Sequence, residues 1–247
     1  MYYFLTEVAN LSKCKSKNFL TYGFNQNADY QIINIRRKIN HSIFDLKVKF
    51  SGEKIYKIKN IKVNIIGDHN ISNVTAAVAV AINLGIKINK IKIALRKFLG
   101  IQRRFTKVFC IDKKEFYDDY AHHPTEIKEV LDGVKNVYKD YEKICVFQPH
   151  RISRLKDLKK EFSFAFKKAD MVVLCPIYTA GERIKLGFNY LNFAKTIAKN
   201  SKVNVFMINN ETDLMKYIKQ NIYGEKIVIG MGAGSISNWI RRLPKLI

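Results

Sequence analysis

Two stretches decide how this chain folds: EFYDDYAHHPTE, residues 115–126, and KICVFQPHRISR, residues 143–154. Each opens as a short apolar run, breaks at a loop carrying Pro, His and Asp or Arg, and passes into a segment with helical spacing. MVVLCPIYTAGE (171–182) and KIVIGMGAGS (226–235) begin in the same way. Working outward, strands are expected at 106–111, 115–119, 143–148, 171–175, 203–208 and 226–230. Helices are expected at 124–139, 153–168, 189–200, 211–221 and 236–242, with Pro124 suited to a first helical turn. Short apolar strands alternating with amphipathic helices predict an α/β domain, a Rossmann-like, mostly parallel sheet with helices on both faces.

Open α/β sheets bind ligands outside the carboxyl ends of their strands. Here the loops after four expected strands are Tyr120 to Glu126, Gln148 to Arg154, Pro176 to Glu182 and Met231 to Ser235. Two of them hold three of the chain's five His and two of its Arg. Arg151 and Arg154 stand three apart at a helix start, so both can face one anion, and Arg suits bidentate binding of carboxylate or phosphate. The alternative is a surface ion pair. His122 and His123 are adjacent, and neighbouring residues rarely point at one ion; no third His or Cys stands at ligand spacing, so no metal site is expected. His123 serves helix entry as readily as function. Asp118 and Asp119 suit ribose hydroxyls, a metal or a helix cap. GMGAGS lacks the GxGxxG spacing and follows the last strand, which argues against a dinucleotide fingerprint.

The first hundred residues read differently. Phe44, Leu46, Val48 and Phe50 alternate with Asp45, Lys47 and Lys49, the pattern of a half-buried antiparallel strand; Ile61, Val63 and Ile65 repeat it. GDHNISN, residues 67–73, then opens a helix that Asn70 or Ser72 can cap and Gly85 ends. A second helix runs from Asn89 to about Phe98. Capping explains one of His69, Asn70 and Asn73 but not all three, and Asn side chains read an adenine edge by paired hydrogen bonds. The domain boundary falls at 101/102, giving units 1–101 and 102–247. Arg103 and Arg104 sit at that junction, where a phosphate clamp or an interdomain salt bridge fits.

Composition closes off other classes. Apolar residues make up 47% and charged residues 26%, which supports a core and excludes disorder; 12 Gly, 4 Pro and 4 Cys exclude collagen-like and disulfide-scaffold chains. The net charge of +23 suggests nucleic-acid or membrane binding, but it comes mostly from Lys spread along the whole chain. A nucleic-acid footprint is clustered, so neither specific nucleic acid nor membrane is expected as a partner. Cys14, Cys110, Cys145 and Cys175 form no CxxC pair and read as reduced, packed thiols of a cytoplasmic protein. No signal peptide is evident at the N-terminus, and the longest apolar stretch, Val74 to Ile86, is too short to span a bilayer. The chain contains no GxxxxGK[ST] loop and no Gly-Lys dipeptide at all.

In order along the chain, TYGFNQNADY, GDHNISNVTAAVAVAINLGI, FLGIQRRF, DDYAHHPTE, FQPHRISR and IYTAGE resemble motifs of the Mur ligases of peptidoglycan synthesis. The resemblance covers most of residues 20–235, and the QPHRxSR loop favours the alanine-adding member. It implies a partial central, ATP-binding domain with antiparallel strands and helices, then a complete C-terminal domain. It also implies ATP-dependent joining of L-alanine to UDP-N-acetylmuramate through an acyl phosphate, with Mg2+ bridging the phosphates. Carried over position by position, His69, Asn70 and Asn73 lie at adenine, Arg103 or Arg104 at phosphate and Asp119 near ribose. Tyr120, His122, Arg151 and Arg154 line the pocket for the amino acid and the muramoyl carboxylate. His122 and Arg104 are the implied catalytic pair. Ala121 stands where the family usually has Gly, Thr106 where an acid is common, and Pro176 where Asp often precedes Ile-Tyr.

Such ligases carry an N-terminal UDP-binding domain and a phosphate loop. Neither motif set is in these residues, so the chain is expected to be inactive alone and to act with a separate N-terminal ligase half. The alternative is a non-catalytic amino-acid or nucleotide-binding module, or the product of a broken gene.

Overall fold

In the computed structural model the described residues are 3–5, 19–49, 55–182 and 188–245. They form two compact units, 1–100 and 101–247.

The first unit has β1 (Tyr3–Leu5), β2 (Phe19–Gly23), β3 (Tyr30–Lys38), β4 (His41–Lys49) and β5 (Ile55–Val63), followed by α1 (Asp68–Asn83) and α2 (Ile88–Lys97). The strands lie side by side in chain order. β1, β2 and β3 run parallel, and β3, β4 and β5 are antiparallel. Phe44, Leu46 and Val48 are buried with Ile61 and Val63 against Ile71, Val74 and Val78 of α1 and Ile91 of α2. Phe50, read as the next member of that alternation, lies outside the described residues.

Asp45 departs from the alternation. It reads as a solvent-facing partner of Lys47, yet it is buried. Both neighbouring strands change register around it, β3 between Ile33 and Arg36 and β5 opposite Phe44 to Leu46. Asn34 and Asn60 take left-handed conformations there (φ 54° and 58°). The Asp45 carboxylate accepts hydrogen bonds from Asn34 Nδ2 (2.9 Å) and the Asn60 amide (2.7 Å). One acid thus ties two bulges together, a use that side-chain alternation does not reveal.

α1 begins earlier than its capping residues suggest. Gly67 is its N-cap, at φ 93°, and no side chain caps it. Asn70 and Ser72 lie inside the helix; Asn70 donates back to the Ile66 carbonyl at 2.8 Å. Arg37 forms a two-nitrogen pair with Asp68 at 2.7–2.9 Å, which places an acid and its partner at the helix start. At the other end the Gly85 amide reaches Ile82 O and the Ile86 amide reaches Ala81 O, a Schellman closure.

The second unit runs β6 (Thr106–Ile111), β7 (Lys114–Asp119), α3 (Pro124–Val137), β8 (Glu142–Phe147), α4 (Ile152–Asp157), α5 (Lys159–Phe164), β9 (Met171–Leu174), α6 (Tyr190–Ser201), β10 (Asn204–Met207), α7 (Glu211–Asn221), β11 (Lys226–Met231) and α8 (Ile236–Arg242). The sheet order is β10-β9-β8-β11-β7-β6. All pairs are parallel except β6 with β7. The α/β, mostly parallel architecture read from the sequence is the one observed. One expected helix, 153–168, is bent into α4 and α5 at Leu158 (φ −114°) while the hydrogen bonds on either side of the bend persist.

β8, β9 and β11 read as continuous apolar runs because both of their faces are covered; Ile144, Val146, Val173 and Val228 pack with Leu214, Ile218, Ile236 and Ile240 of α7 and α8. Cys145 and Cys175 are free and buried, and burial pushes both thiols up; Cys110 is free and exposed. Cys14 lies outside the described residues. Among the described residues no helix is long and apolar enough to cross a membrane.

Candidate functional site

β7, β8, β9 and β11 all end on one edge of the second sheet, so the loops after them are neighbours. Insertion of β11 between β7 and β8 makes the arrangement. β11 pairs with both strands in register, and Met231 lies opposite Asp119 on one side and Phe147 on the other. The Gly232 amide donates to Asp119 O (3.1 Å), and the Gln148 amide to Met231 O (2.9 Å).

The GMGAGS turn is built by close approach. A Cβ on Gly232, at φ 150°, would lie 2.7 Å from the Gln148 carbonyl oxygen; one on Gly234 would lie 2.5 Å from Gln148 Oε1 and from the Tyr178 ring. Gln148 closes the contact, donating to Ser235 Oγ (2.9 Å) and accepting from the Ile236 amide (3.0 Å).

The paired acids are committed to the protein itself. Asp118 is buried; Ser237 Oγ (2.6 Å) and Arg241 Nη2 (3.0 Å) donate to one of its oxygens. Asp119 accepts the amides of Phe105 and Ala121, both at 2.7 Å. Burial pushes its carboxyl up to about 6, against the pull of those amides and of Arg104. Neither acid caps α3. His123 does so, its Nδ1 accepting the Thr125 amide at 3.3 Å while Glu126 reaches back to the amides of His122 and His123.

The arginine pair is split. Arg103 and Phe105 take left-handed backbone (φ 59° and 49°) on either side of Arg104. Arg103 lies over the Tyr120 ring at 4.7 Å, and its Nη2 donates to Gly232 O at 2.8 Å. Its carbonyl accepts the Tyr120 amide at 2.7 Å. Arg104 is the more exposed of the two, and Glu126 is its ion-pair partner at 3.8 Å.

Next to Tyr120 comes a row of rings. Tyr120 meets His122 edge-on (5.0 Å), His122 meets His150 (5.6 Å), and His150 stacks on Tyr178 (5.6 Å, 16°). The two imidazoles carry opposite chemistry. His122 Nδ1 lies 2.9 Å from the Tyr120 carbonyl, which can only accept, so Nδ1 holds the proton and Nε2 keeps a lone pair when the ring is neutral. His150 Nδ1 lies 3.1 Å from Arg154 Nη1, which can only donate, so the proton of neutral His150 sits on Nε2. Burial, followed by the charge of Arg154, lowers the His150 pKa and favours that neutral form. Arg151, exposed, is the left-handed N-cap of α4 (φ 68°).

The second unit therefore brings Arg103, Arg104, Asp119, Tyr120, His122, Arg151 and Arg154 to one edge. His69, Asn70 and Asn73 belong to the first unit, in the first turns of α1, His69 and Asn70 half-buried and Asn73 exposed. Sequence reasoning left His150, Tyr178, Gln148 and Glu182 unassigned. His150 stands four residues before Arg154, and that spacing was the available signal.

Strand order and loop placement define a doubly wound α/β protein whose ligand edge carries cations, imidazoles and aromatic rings. The chain belongs to the Mur ligase family: residues 103–234 match "Mur ligase, glutamate ligase domain" and residues 3–81 match "Mur ligase middle domain". It is 59% identical over 237 residues to a protein of Pelagibacter ubique named UDP-N-acetylmuramate–L-alanine ligase, covering 96% of this chain and 51% of that one. The protein of the same name from Bartonella tribocorum is 37% identical, over 91% of this chain and 47% of that one. The crystal structure of UDP-N-acetylmuramate-alanine ligase from Thermotoga maritima shares the fold, with TM-score 0.72 at 24% identity, over 92% of this chain and 47% of that one. The chain spans about half the length of the curated relatives it matches.

Proposed function

We propose that the chain supplies the amino-acid side of an ATP-dependent ligation that joins L-alanine to UDP-N-acetylmuramate. The observation that carries this reading is the row Tyr120–His122–His150–Tyr178 beside Arg151 and Arg154, on the edge where parallel sheets hold ligands. The relatives' names supply the substrate class.

In this reading a muramoyl carboxylate oxygen attacks the γ-phosphorus and ADP leaves, giving an acyl phosphate. The alanine nitrogen then attacks the acyl carbon, the tetrahedral oxyanion collapses, and the C–O bond to phosphate breaks as the amide forms. The alanine ammonium must shed one proton before its lone pair can attack and a second as the C–N bond settles. His122 Nε2 is the acceptor for the first. His150 Nε2–H is a neutral donor toward oxygen. Arg151 and Arg154 hold the amino-acid carboxylate, and Arg104, free of backbone acceptors, meets phosphate; fixed cations act strongly where charge develops. Arg103 shares that phosphate role through its hold on Tyr120 and the 232 turn, and Asp119 shapes the ribose side through the loops it fixes. His69, Asn70 and Asn73 read adenine.

Mg2+, which the family resemblance implies, would neutralise phosphate charge during the transfer. Among the described residues no group of three or more His, Cys, Asp and Glu is placed to hold a metal. Both Asp119 oxygens accept backbone amides, and Asp118 Oδ2 accepts Ser237 and Arg241 while its buried Oδ1 has only Arg103 nearby at 3.9 Å. No step is assigned to a metal on these residues.

These 247 residues hold no phosphate-cradling loop, so the reading assigns that part to residues outside them, of the kind carried by the other half of the relatives' length. The test is to combine the chain with the N-terminal portion of the Pelagibacter ubique relative and follow L-alanine-dependent phosphate release. Release is expected from the mixture and not from the chain alone. His122→Ala is expected to slow turnover by about 10²-fold or more, as loss of a general base does. Alanine-dependent release by the chain alone, or an unaffected His122→Ala mixture, would refute the reading.

A further inference from the structure

α4 starts on a residue that cannot cap it. N-cap positions favour Ser, Thr, Asp or Asn because their side-chain oxygen accepts a free amide of the first turn. Here the N-cap is Arg151, which has donors only. Its φ is positive (68°), a backbone conformation that strains a non-glycine residue unless its surroundings hold it.

The acceptor comes from another loop. Glu182 Oε2 takes the amides of Ile152 (2.8 Å) and Ser153 (3.1 Å), and Ser153 Oγ donates to Oε1 at 2.5 Å. The loop is shaped to deliver it. Ala180 and Gly181 are both left-handed (φ 51° and 86°), and the Glu182 amide donates to Thr179 O. The same loop holds the residue before α4: the Arg151 amide donates to Tyr178 O (2.9 Å) and the Tyr178 amide to Pro149 O (2.8 Å). The hydrogen bonds from Ser153 are the main reason the Glu182 pKa is lowered.

We infer that Glu182 is a positioning residue of the ligation site: it caps α4 from a distance, so that the N-cap place can be given to Arg151 and its guanidinium left for substrate. The inference rests on the reading of Arg151 as an amino-acid contact. A residue with its own capping oxygen at 151 would hold the helix and leave no cation there. Arg at 151 keeps the cation and needs the cap supplied across the edge.

Two measurements test this. In the 247-residue chain, the amides of Ile152 and Ser153 are expected to exchange with solvent at least about tenfold faster in Glu182→Ala than in wild type. Glu182→Gln, whose Oε1 can accept the same two amides, is expected to keep them protected. In the reconstituted mixture, Glu182→Ala is expected to raise the KM for L-alanine about tenfold or more with the KM for ATP unchanged, and Glu182→Gln to restore it. Unchanged amide exchange in Glu182→Ala, or an alanine KM equal to wild type in an active mixture, overturns the inference. If the wild-type mixture shows no alanine-dependent release, the ligase reading fails instead, and the exchange result alone decides whether Glu182 is the cap.

Discussion

Asp119 shows how one buried side chain can fix two neighbouring loops. Its two oxygens hold the amides of Phe105 and Ala121, so it fixes the segment carrying Arg104 and the loop carrying His122. Burial raises its folded pKa to about 6, above the unfolded value near 3.8. The folded state therefore binds the proton more tightly, and stability from this group is full below pH 3.8 and is lost as pH rises through 6. A shift of that size is worth ~3 kcal/mol. Carbon-detected NMR of the Asp119 carboxyl is expected to show a midpoint near pH 6; a midpoint below 4 would contradict it. Gly232 is the other decisive residue. Alanine there meets the Gln148 carbonyl oxygen, which as backbone cannot move aside, and is held at φ 150°. Gly232→Ala is expected to destabilise the chain by about 1–3 kcal/mol in urea unfolding.

Between elements, the recurring device is an acid placed where two irregular segments meet. Asp45 spans the bulges of β3 and β5, and Glu182 joins the loop after β9 to α4. Asp45→Ala leaves the Asn60 amide and Asn34 Nδ2 without their acceptor. It is expected to cost about 1–3 kcal/mol and to speed amide exchange at Asn60 more than at Val63. Equal exchange at both positions would show that the bulges hold themselves. The elements themselves were legible in the sequence because each repeats a short-range rule. Apolar runs gave β7, β8, β9 and β11; helical spacing gave α3, α6 and α7, and the GDHNISN opening with its closing Gly85 gave α1. The bend at Leu158 and the start of α1 were not legible. A bend that keeps its hydrogen bonds leaves no breaker residue, and a helix capped by Gly67 offers no side-chain signal.

For the molecule as a whole, the second unit has its own core, in which Phe116, Ile144, Val173 and Val228 of the sheet pack against α7 and α8. Residues 101–247 expressed alone are expected to fold and to unfold in one cooperative transition, followed by circular dichroism. A broad, non-cooperative loss of signal would show that this core is insufficient. The sequence by itself determined that this is an α/β chain, that its unusual residues follow its strands, and that its motifs are those of the Mur ligases. Each of these depends on local order, periodicity or residue identity. The tertiary structure decided what each site residue touches. Insertion of β11 between β7 and β8 put Gly232 under Arg103 and beside Asp119, residues more than a hundred positions away. It separated Arg103 from Arg104, gave His122 and His150 opposite tautomers, and brought Glu182 to cap a helix thirty residues earlier. Those outcomes come from long-range pairing of backbone groups with side chains, and no local pattern in the chain encodes which partner will arrive.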